Sequence, residues 1–259
     1  NRKLFFLVAL PRSGNTLFAS IMNQNPEVAC TANSVTLEII KNLYLIKTTD
    51  TFKNFPDHKS LDNILDNVYN LYYKDWSQKI IIDRGPVMLS GNPGNFELMK
   101  KHFKPSFKCI VLLRDLMDVF ASYMQWYTEN PNSFVNKLGK TDEEKLLALM
   151  KEEGAIVKEI KSIQTAHNYP NMCHFVKYDD IVTNPEQEFR KIYQFLDEPY
   201  FNHRFDNLDQ VEVNGLCYDD TIMGSNMHKL FDGPVRKMYN PYIEKIPKNI
   251  KERYGHIKI

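Results

Sequence analysis

Residues 3–17 read Lys3-Leu4-Phe5-Phe6-Leu7-Val8-Ala9-Leu10-Pro11-Arg12-Ser13-Gly14-Asn15-Thr16-Leu17. Lys3 to Leu10 is a short continuous apolar run, and Pro11 ends it. Strands of a parallel sheet are buried on both faces, so they read as unbroken apolar runs. Asn15 to Asn23 then has a helical pattern, stopped by Asn25-Pro26. A strand, a short glycine-bearing turn and a helix form the repeating unit of α/β folds.

The turn has the makings of an anion site. Gly14 lets the backbone bend close to a ligand. The first amides of the following helix lack intrahelical acceptors, and the helix dipole favours negative charge there. Arg12 adds a fixed cation, and Ser13, Asn15 and Thr16 add short donors. The nucleotide triphosphatase loop reads G-x-x-x-x-G-K-[ST]. Here its upstream glycine is missing, and Asn15 stands where lysine should. The alternative is an ordinary strand–helix turn with Ser13 or Asn15 capping the helix.

Outward from this unit the pattern repeats. Lys79 to Asp83 is a second apolar strand, closed by Gly85-Pro86. Phe107 to Leu113 is a third, followed by a helix from Leu116 to Tyr127. Met172 to Lys177 is a fourth. Asn184 caps the next helix, with Pro185 at its first position and its end near Leu196. Amphipathic helices are expected near Val35 to Lys47 and Leu61 to Tyr73, with Thr48 to Lys59 a polar loop between them. Thr141 and Glu144 form a capping box that opens a long helix. Leu146, Met150, Val157 and Ile160 keep one apolar face on it to about Ile163. The alternation predicts a single α/β domain over residues 1–259, a central mostly parallel sheet flanked by helices. Its core spans about residues 3–196. Residues 199–259 are more irregular, with 199–241 either a lid over a site or a surface excursion.

The chain has 259 residues, enough to bury a core without disulfides or metal. Its formal net charge is +1, so nothing draws it as a whole to nucleic acid or an anionic membrane; any anion site is local. Cys30, Cys109, Cys173 and Cys217 are widely spaced without a C-x-x-C pair, which favours reduced thiols over a disulfide framework or metal site. No apolar stretch approaches a membrane helix, and Leu4 to Leu10 is too short for a signal-peptide core. The expected location is cytoplasmic, or a targeting segment has been removed.

A second anion site is expected at Cys109 to Tyr123. Arg114 stands at the carboxyl end of a buried strand, where ligands of open α/β sheets bind. Asp115 and Asp118 open the next helix, and Ser122 lies two turns in. Whether Ser122 reaches the same anion as Arg114 depends on helix tilt, which spacing leaves open.

Together the two segments resemble the sulfotransferases that use 3′-phosphoadenosine 5′-phosphosulfate (PAPS). Pro11 to Leu17 is similar to that family's P-[KR]-S-G-[TN]-[TS]-[LW] loop, which holds the 5′-phosphosulfate. Arg114, Asp115, Asp118 and Ser122 fit its R-[DN]-x-x-[DE]-x-x-x-S segment, whose Arg and Ser bind the 3′-phosphate. Phe175 to Glu186 looks like its late R-Y-E-D-L-V-x-x-P segment, which would place Tyr178 near the adenine; otherwise Tyr178 is a core aromatic. The Pro-Arg-Ser-Gly form is closer to the tyrosylprotein, carbohydrate and bacterial branches than to the cytosolic phenol-type branch.

The resemblance implies in-line displacement at sulfur, with release of adenosine 3′,5′-bisphosphate. Sulfuryl carries less charge than phosphoryl, so cationic side chains can suffice without a metal. It implies cofactor contacts from Arg12, Ser13, Gly14, Asn15, Thr16, Leu17, Arg114, Ser122 and Tyr178. Arg236 and Lys237 would close over the 3′-phosphate, or form a solvated face. Arg12 is the first candidate to stabilise the leaving-side oxygen. Arg84 is the second, in Asp83-Arg84-Gly85-Pro86, which resembles a D-K-x-P element. An arginine there keeps the charge but cannot donate a proton. The phenol-type branch's histidine near Arg84 is absent, and Ala32 and Asn33, which align with the tyrosylprotein branch's glutamate, are not acidic. Glu38 and Asp83 are the candidate bases; His58 and His228 read as solvated or structural. The acceptor would be a small molecule, carbohydrate or peptide bearing a hydroxyl or amine. Trp126, Tyr127, Tyr72, Tyr73 and Trp76 either line its cleft or belong to the core. Two other readings stand beside this one: a P-loop small-molecule kinase, and a PAPS-binding homologue without catalysis.

Overall fold

The apolar runs assemble into one five-stranded parallel sheet in the order β2-β3-β1-β4-β5. The strands are β1 (Lys3–Ala9), β2 (Val28–Cys30), β3 (Ile80–Asp83), β4 (Cys109–Leu113) and β5 (Cys173–Lys177). A computed structural model describes residues 2–31, 33–85, 93–103, 107–222, 224 and 226–259. Pro86 and Ala32, both invoked above, lie outside the described residues. Phe5 to Ala9 in β1 and all of β4 are buried, as a strand covered on both faces must be. Among the described residues no helix is long and apolar enough to cross a membrane, and the four cysteines are free thiols.

Helices α1 (Asn15–Met22), α2 (Thr36–Leu45), α3 (Asp50–Asn54), α4 (His58–Tyr72) and α5 (Pro93–His102) precede β4. After it come α6 (Leu116–Glu129), α7 (Asp142–Leu149), α8 (Ala155–Ala166), α9 (Tyr178–Thr183) and α10 (Pro185–Leu196). The Thr141–Glu144 capping box is formed, and Pro185 opens α10.

Three expectations need correction. The helix expected from Thr141 to Ile163 is two helices, because Gly154 adopts an extended ψ of 155° between α7 and α8. A Cβ there would stand 2.7 Å from the Leu149 carbonyl oxygen, so the chain folds back too tightly for a continuous helix. Glu152 and Glu153 then pair onto α8 through Lys161 and Lys158. The polar loop expected over Thr48 to Lys59 contains α3, capped by the Thr49 hydroxyl at the Phe52 amide. Helix α4 begins three residues before Leu61, where Asp57 accepts from the Ser60 amide.

Strand order sets the site. The chain leaves β1 toward the β2–β3 side, while β4 continues to β5 on the other. Such a reversal opens a crevice at the carboxyl ends of the two central strands. Arg12 and Arg114 follow those ends, and Arg84 follows β3 beside them.

Candidate active site

Two left-handed residues shape the loop after β1: Arg12 at φ 64° and Gly14 at φ 95°. Alternating handedness of this kind turns backbone N–H groups into an anion-binding concavity. The side chains of Ser13 and Asn15 brace it from below. Ser13 Oγ donates to the Leu10 carbonyl at 2.6 Å, and Asn15 Nδ2 donates to the same oxygen at 3.1 Å. For a bound anion Asn15 therefore offers its main-chain amide, whereas the Ser13 amide also turns back to the Leu10 carbonyl, at 3.3 Å.

The second segment closes on the first. Arg114 Nη1 donates to the Arg12 carbonyl at 2.7 Å, and its guanidinium lies 4.1 Å from the Tyr178 ring centroid. The same ring presses on Gly14, where a Cβ would stand 2.6 Å from Tyr178 Cδ2. Tyr178 is thus held between an arginine and a glycine that no other residue could replace without displacing it. Arg12 Nε donates to Ser122 Oγ at 3.0 Å, and its Nη1 donates to the Met227 carbonyl. The tilt of α6 therefore delivers Ser122 to the crevice. Burial lowers the Arg12 pKa; Tyr123 opposes this, the charge of Arg114 adds to it, and Asp220 and Glu129 oppose it more weakly. Arg114 Nε is buried with no hydrogen-bond partner.

An orphaned guanidinium donor beside a second, desolvated guanidinium is what a phosphate would satisfy. The residues present fit an adenosine bisphosphate group on this ground. Lys237 pairs with Asp179 at 2.7 Å, next to Tyr178, and Arg236 is exposed at the cleft.

Arg84 is only 4% exposed, yet it lines the cleft. Its amide donates to Thr31 Oγ1 at 2.9 Å, and its Nη1 reaches Asn33 Oδ1 at 3.3 Å. Of the two candidate bases, Glu38 lines the cleft. Asp83 is sealed in the core at 1% exposure and accepts from Thr36 Oγ1 at 2.8 Å and from the Tyr73 hydroxyl.

That burial pushes the Asp83 carboxyl up to about 6, with the Tyr73 and Thr36 hydrogen bonds opposing it. An unfolded aspartate titrates near ~3.9. Between those values the folded chain holds a proton that the unfolded chain has released, so stability falls as pH rises through that window. The full shift is worth on the order of 3 kcal/mol. Asp83→Asn, uncharged throughout, is expected to gain up to that amount on wild type between about pH 4 and about pH 7. Urea unfolding of both proteins across the range checks this; a constant difference would sink it.

The cleft is roughly 1310 Å³. Its floor is the loop after β1 with Arg84, Arg114 and Ser122, and its other wall is residues 226–241. The irregular segment thus forms part of the cleft's lining. It is tied down by Arg12 to Met227, by Gln210 Oε1 accepting from the Leu230 amide at 3.0 Å, and by the Val235 amide donating to the Phe205 carbonyl at 2.7 Å. Trp126 lines the cleft. The Tyr127 hydroxyl donates to Asp142 at 2.9 Å, and Tyr73 is core.

One residue takes a place the sequence did not suggest. His228 lines the cleft, with its ring stacked on Tyr218 at 3.7 Å and its Nδ1 2.5 Å from Asp220 Oδ1. His58 is exposed and packs edge-on to Phe52 outside the cleft.

Residues 5–202 match the model of the sulfotransferase family. The chain belongs to that family. A Caenorhabditis briggsae protein provisionally named a protein-tyrosine sulfotransferase is 24% identical over 203 residues, 76% of this chain and 66% of that protein's length. The sulfotransferase domain from the curacin biosynthetic pathway superposes with a TM-score of 0.54 at 16% identity, covering 100% of this chain and 92% of that one. A mouse sulfotransferase complexed with PAP superposes at 0.50 and 17% identity, covering 78% of this chain and 61% of that one. The family membership favours sulfuryl transfer over the kinase alternative.

Proposed function

We propose that this sulfotransferase takes its sulfuryl group from PAPS, passes it to an acceptor hydroxyl and releases adenosine 3′,5′-bisphosphate. The observation that carries this is the joint held by Arg114: bonded to the loop at Arg12, stacked on Tyr178, and left with a buried donor unpaired. That PAP, the adenosine bisphosphate, is bound in the mouse sulfotransferase supports the same donor here. The amides from Gly14 to Leu17 at the start of α1 take the 5′-phosphosulfate. Arg114 and Ser122 take the 3′-phosphate, with Arg236 and Lys237 closing from the C-terminal segment, and Tyr178 flanks the base. Arg12 lies between the two anion sites and, with Arg84, faces the charge that grows on the leaving oxygen. Glu38 is the carboxylate within the acceptor side of the cleft, while Asp83 braces the strand end that aims Arg84.

A ligand that binds only the native state raises apparent stability with its concentration. Thermal unfolding is expected to shift upward with adenosine 3′,5′-bisphosphate and not with ATP and magnesium. The reverse result would overturn the proposed donor. A shift without transfer to any acceptor would mark a binding protein.

A further inference from the structure

His228 and Asp220 form a side-chain pair that no part of the sulfuryl-donor site uses. The Asp220 carboxylate accepts from the His228 amide through Oδ2 at 2.9 Å and meets the ring through Oδ1 at 2.5 Å. Two bonds from one carboxylate fix both the position and the tautomer of the imidazole, with Nδ1 carrying the hydrogen. The remaining nitrogen, Nε2, is then a lone-pair acceptor. The ring lies flat on Tyr218, with 8° between planes, and the Tyr218 hydroxyl faces the Thr16 side chain at the start of α1. The neighbouring residue, Met227, is tied to Arg12 through its carbonyl. These contacts place the imidazole in the cleft beside Arg12 and Arg84, with Thr16 reached through Tyr218.

We propose that His228, oriented by Asp220, is the general base that takes the proton from the acceptor hydroxyl during sulfuryl transfer. This rests on the sulfotransferase reading above. The acceptor O–H bond breaks and its proton passes to Nε2. The oxygen lone pair forms the new O–S bond. The bond from sulfur to the phosphate oxygen breaks, and its electron pair leaves on adenosine 3′,5′-bisphosphate. The imidazolium that results is stabilised by the Asp220 carboxylate. The groups facing the ring are Asp220 on its own segment, Tyr218 beneath it, Arg84 after β3 and Arg12 after β1. Burial lowers the imidazole pKa from its ordinary value; Asp220 opposes this and the two arginines reinforce it. The ring is therefore neutral and able to accept a proton at neutral pH. Asp83 is sealed in the core and cannot compete for this task.

The test gives the whole chain PAPS and either of two acceptors. One is a tyrosine-containing peptide, whose phenol is protonated at neutral pH. The other is 4-nitrophenol at a pH where it is already ionised and needs no base. In His228→Asn, kcat/KM with the peptide is expected to fall about 10²-fold or more, and with the nitrophenolate by less than about threefold. Asp220→Asn, a change at a positioning residue, is expected to lower kcat with the peptide while leaving KM for PAPS unchanged. His228→Gln repeats the measurement should the first variant fold poorly, and a retained stability rise with the bisphosphate certifies the fold. Equal losses with both acceptors, or no loss with either, overturn the assignment. Wild type that rises in stability with the bisphosphate but consumes no PAPS also overturns the assignment, leaving the donor site intact. Wild type with neither response overturns the sulfotransferase reading itself.

Discussion

Replacing Arg114 with alanine is expected to weaken binding of adenosine 3′,5′-bisphosphate by roughly 10- to 150-fold. A hydrogen bond to a charged group contributes about 1.5–3 kcal/mol, and each ~1.4 kcal/mol is tenfold in affinity. The upper end applies here because the Arg114 Nε donor is buried and unpaired without ligand, so a phosphate gains a bond for which little water must be displaced. The side chain also donates to the Arg12 carbonyl and covers the Tyr178 ring, so alanine costs some stability as well. Arg114→Lys separates the two effects. Lysine keeps the charge but not the flat face that stacks on tyrosine or the fork that reaches two oxygens. It should recover part of the affinity and little of the packing. Calorimetry with the bisphosphate, beside urea unfolding of both variants, checks this. Full affinity in Arg114→Ala would remove Arg114 from the anion site.

The sequence was most informative where structure is local. The β1 loop and the β4–α6 junction were legible because each is a contiguous strand end, turn and helix start whose chemistry depends on neighbours in the chain. β2 was not, since three residues, Val28–Cys30, carry no periodicity. The break at Gly154 was hidden because Leu146 and Ile156 are both buried, so the apolar spacing continues across a change of axis. α9 was also missed: Tyr178 ends an apolar run and at once begins a helix, leaving no linker to read. In the site, Ser13 and Asn15 read as short side-chain donors, and spacing cannot show that both side chains turn down to Leu10. Spacing does not reveal the tilt that brings Ser122 to Arg12 for the same reason, since it depends on how α6 packs. His228 reads as solvated or structural because nothing near it in the chain is distinctive. Its meaning comes from Asp220 eight residues earlier, from Tyr218, and from a β1 loop more than 200 residues away in sequence.

Gly14→Ala is expected to destabilise the chain by about 2–5 kcal/mol and to abolish tight bisphosphate binding with it. Two costs add. A left-handed conformation costs an L-residue roughly 1–2 kcal/mol, and Gly14 sits at φ 95°. The added methyl would then overlap Tyr178 Cδ2 at 2.6 Å, and forced overpacking costs about 1–3 kcal/mol. Tyr178 has little freedom to yield, because the Arg114 guanidinium lies 4.1 Å away on its ring. The strain must pass either into the loop, turning its amides off the phosphosulfate, or through Tyr178 into Arg114. Both routes damage the proposed donor site, which is why one methyl group should cost binding as well as stability. The double variant Gly14→Ala/Tyr178→Ala distinguishes the two costs. It relieves the overlap but not the backbone strain, so its loss of stability should be smaller than the sum of the single losses by about 1–3 kcal/mol. Strict additivity would mean that Gly14 is required for its backbone angle alone, and that the close approach of the tyrosine to the loop contributes nothing to holding the site together.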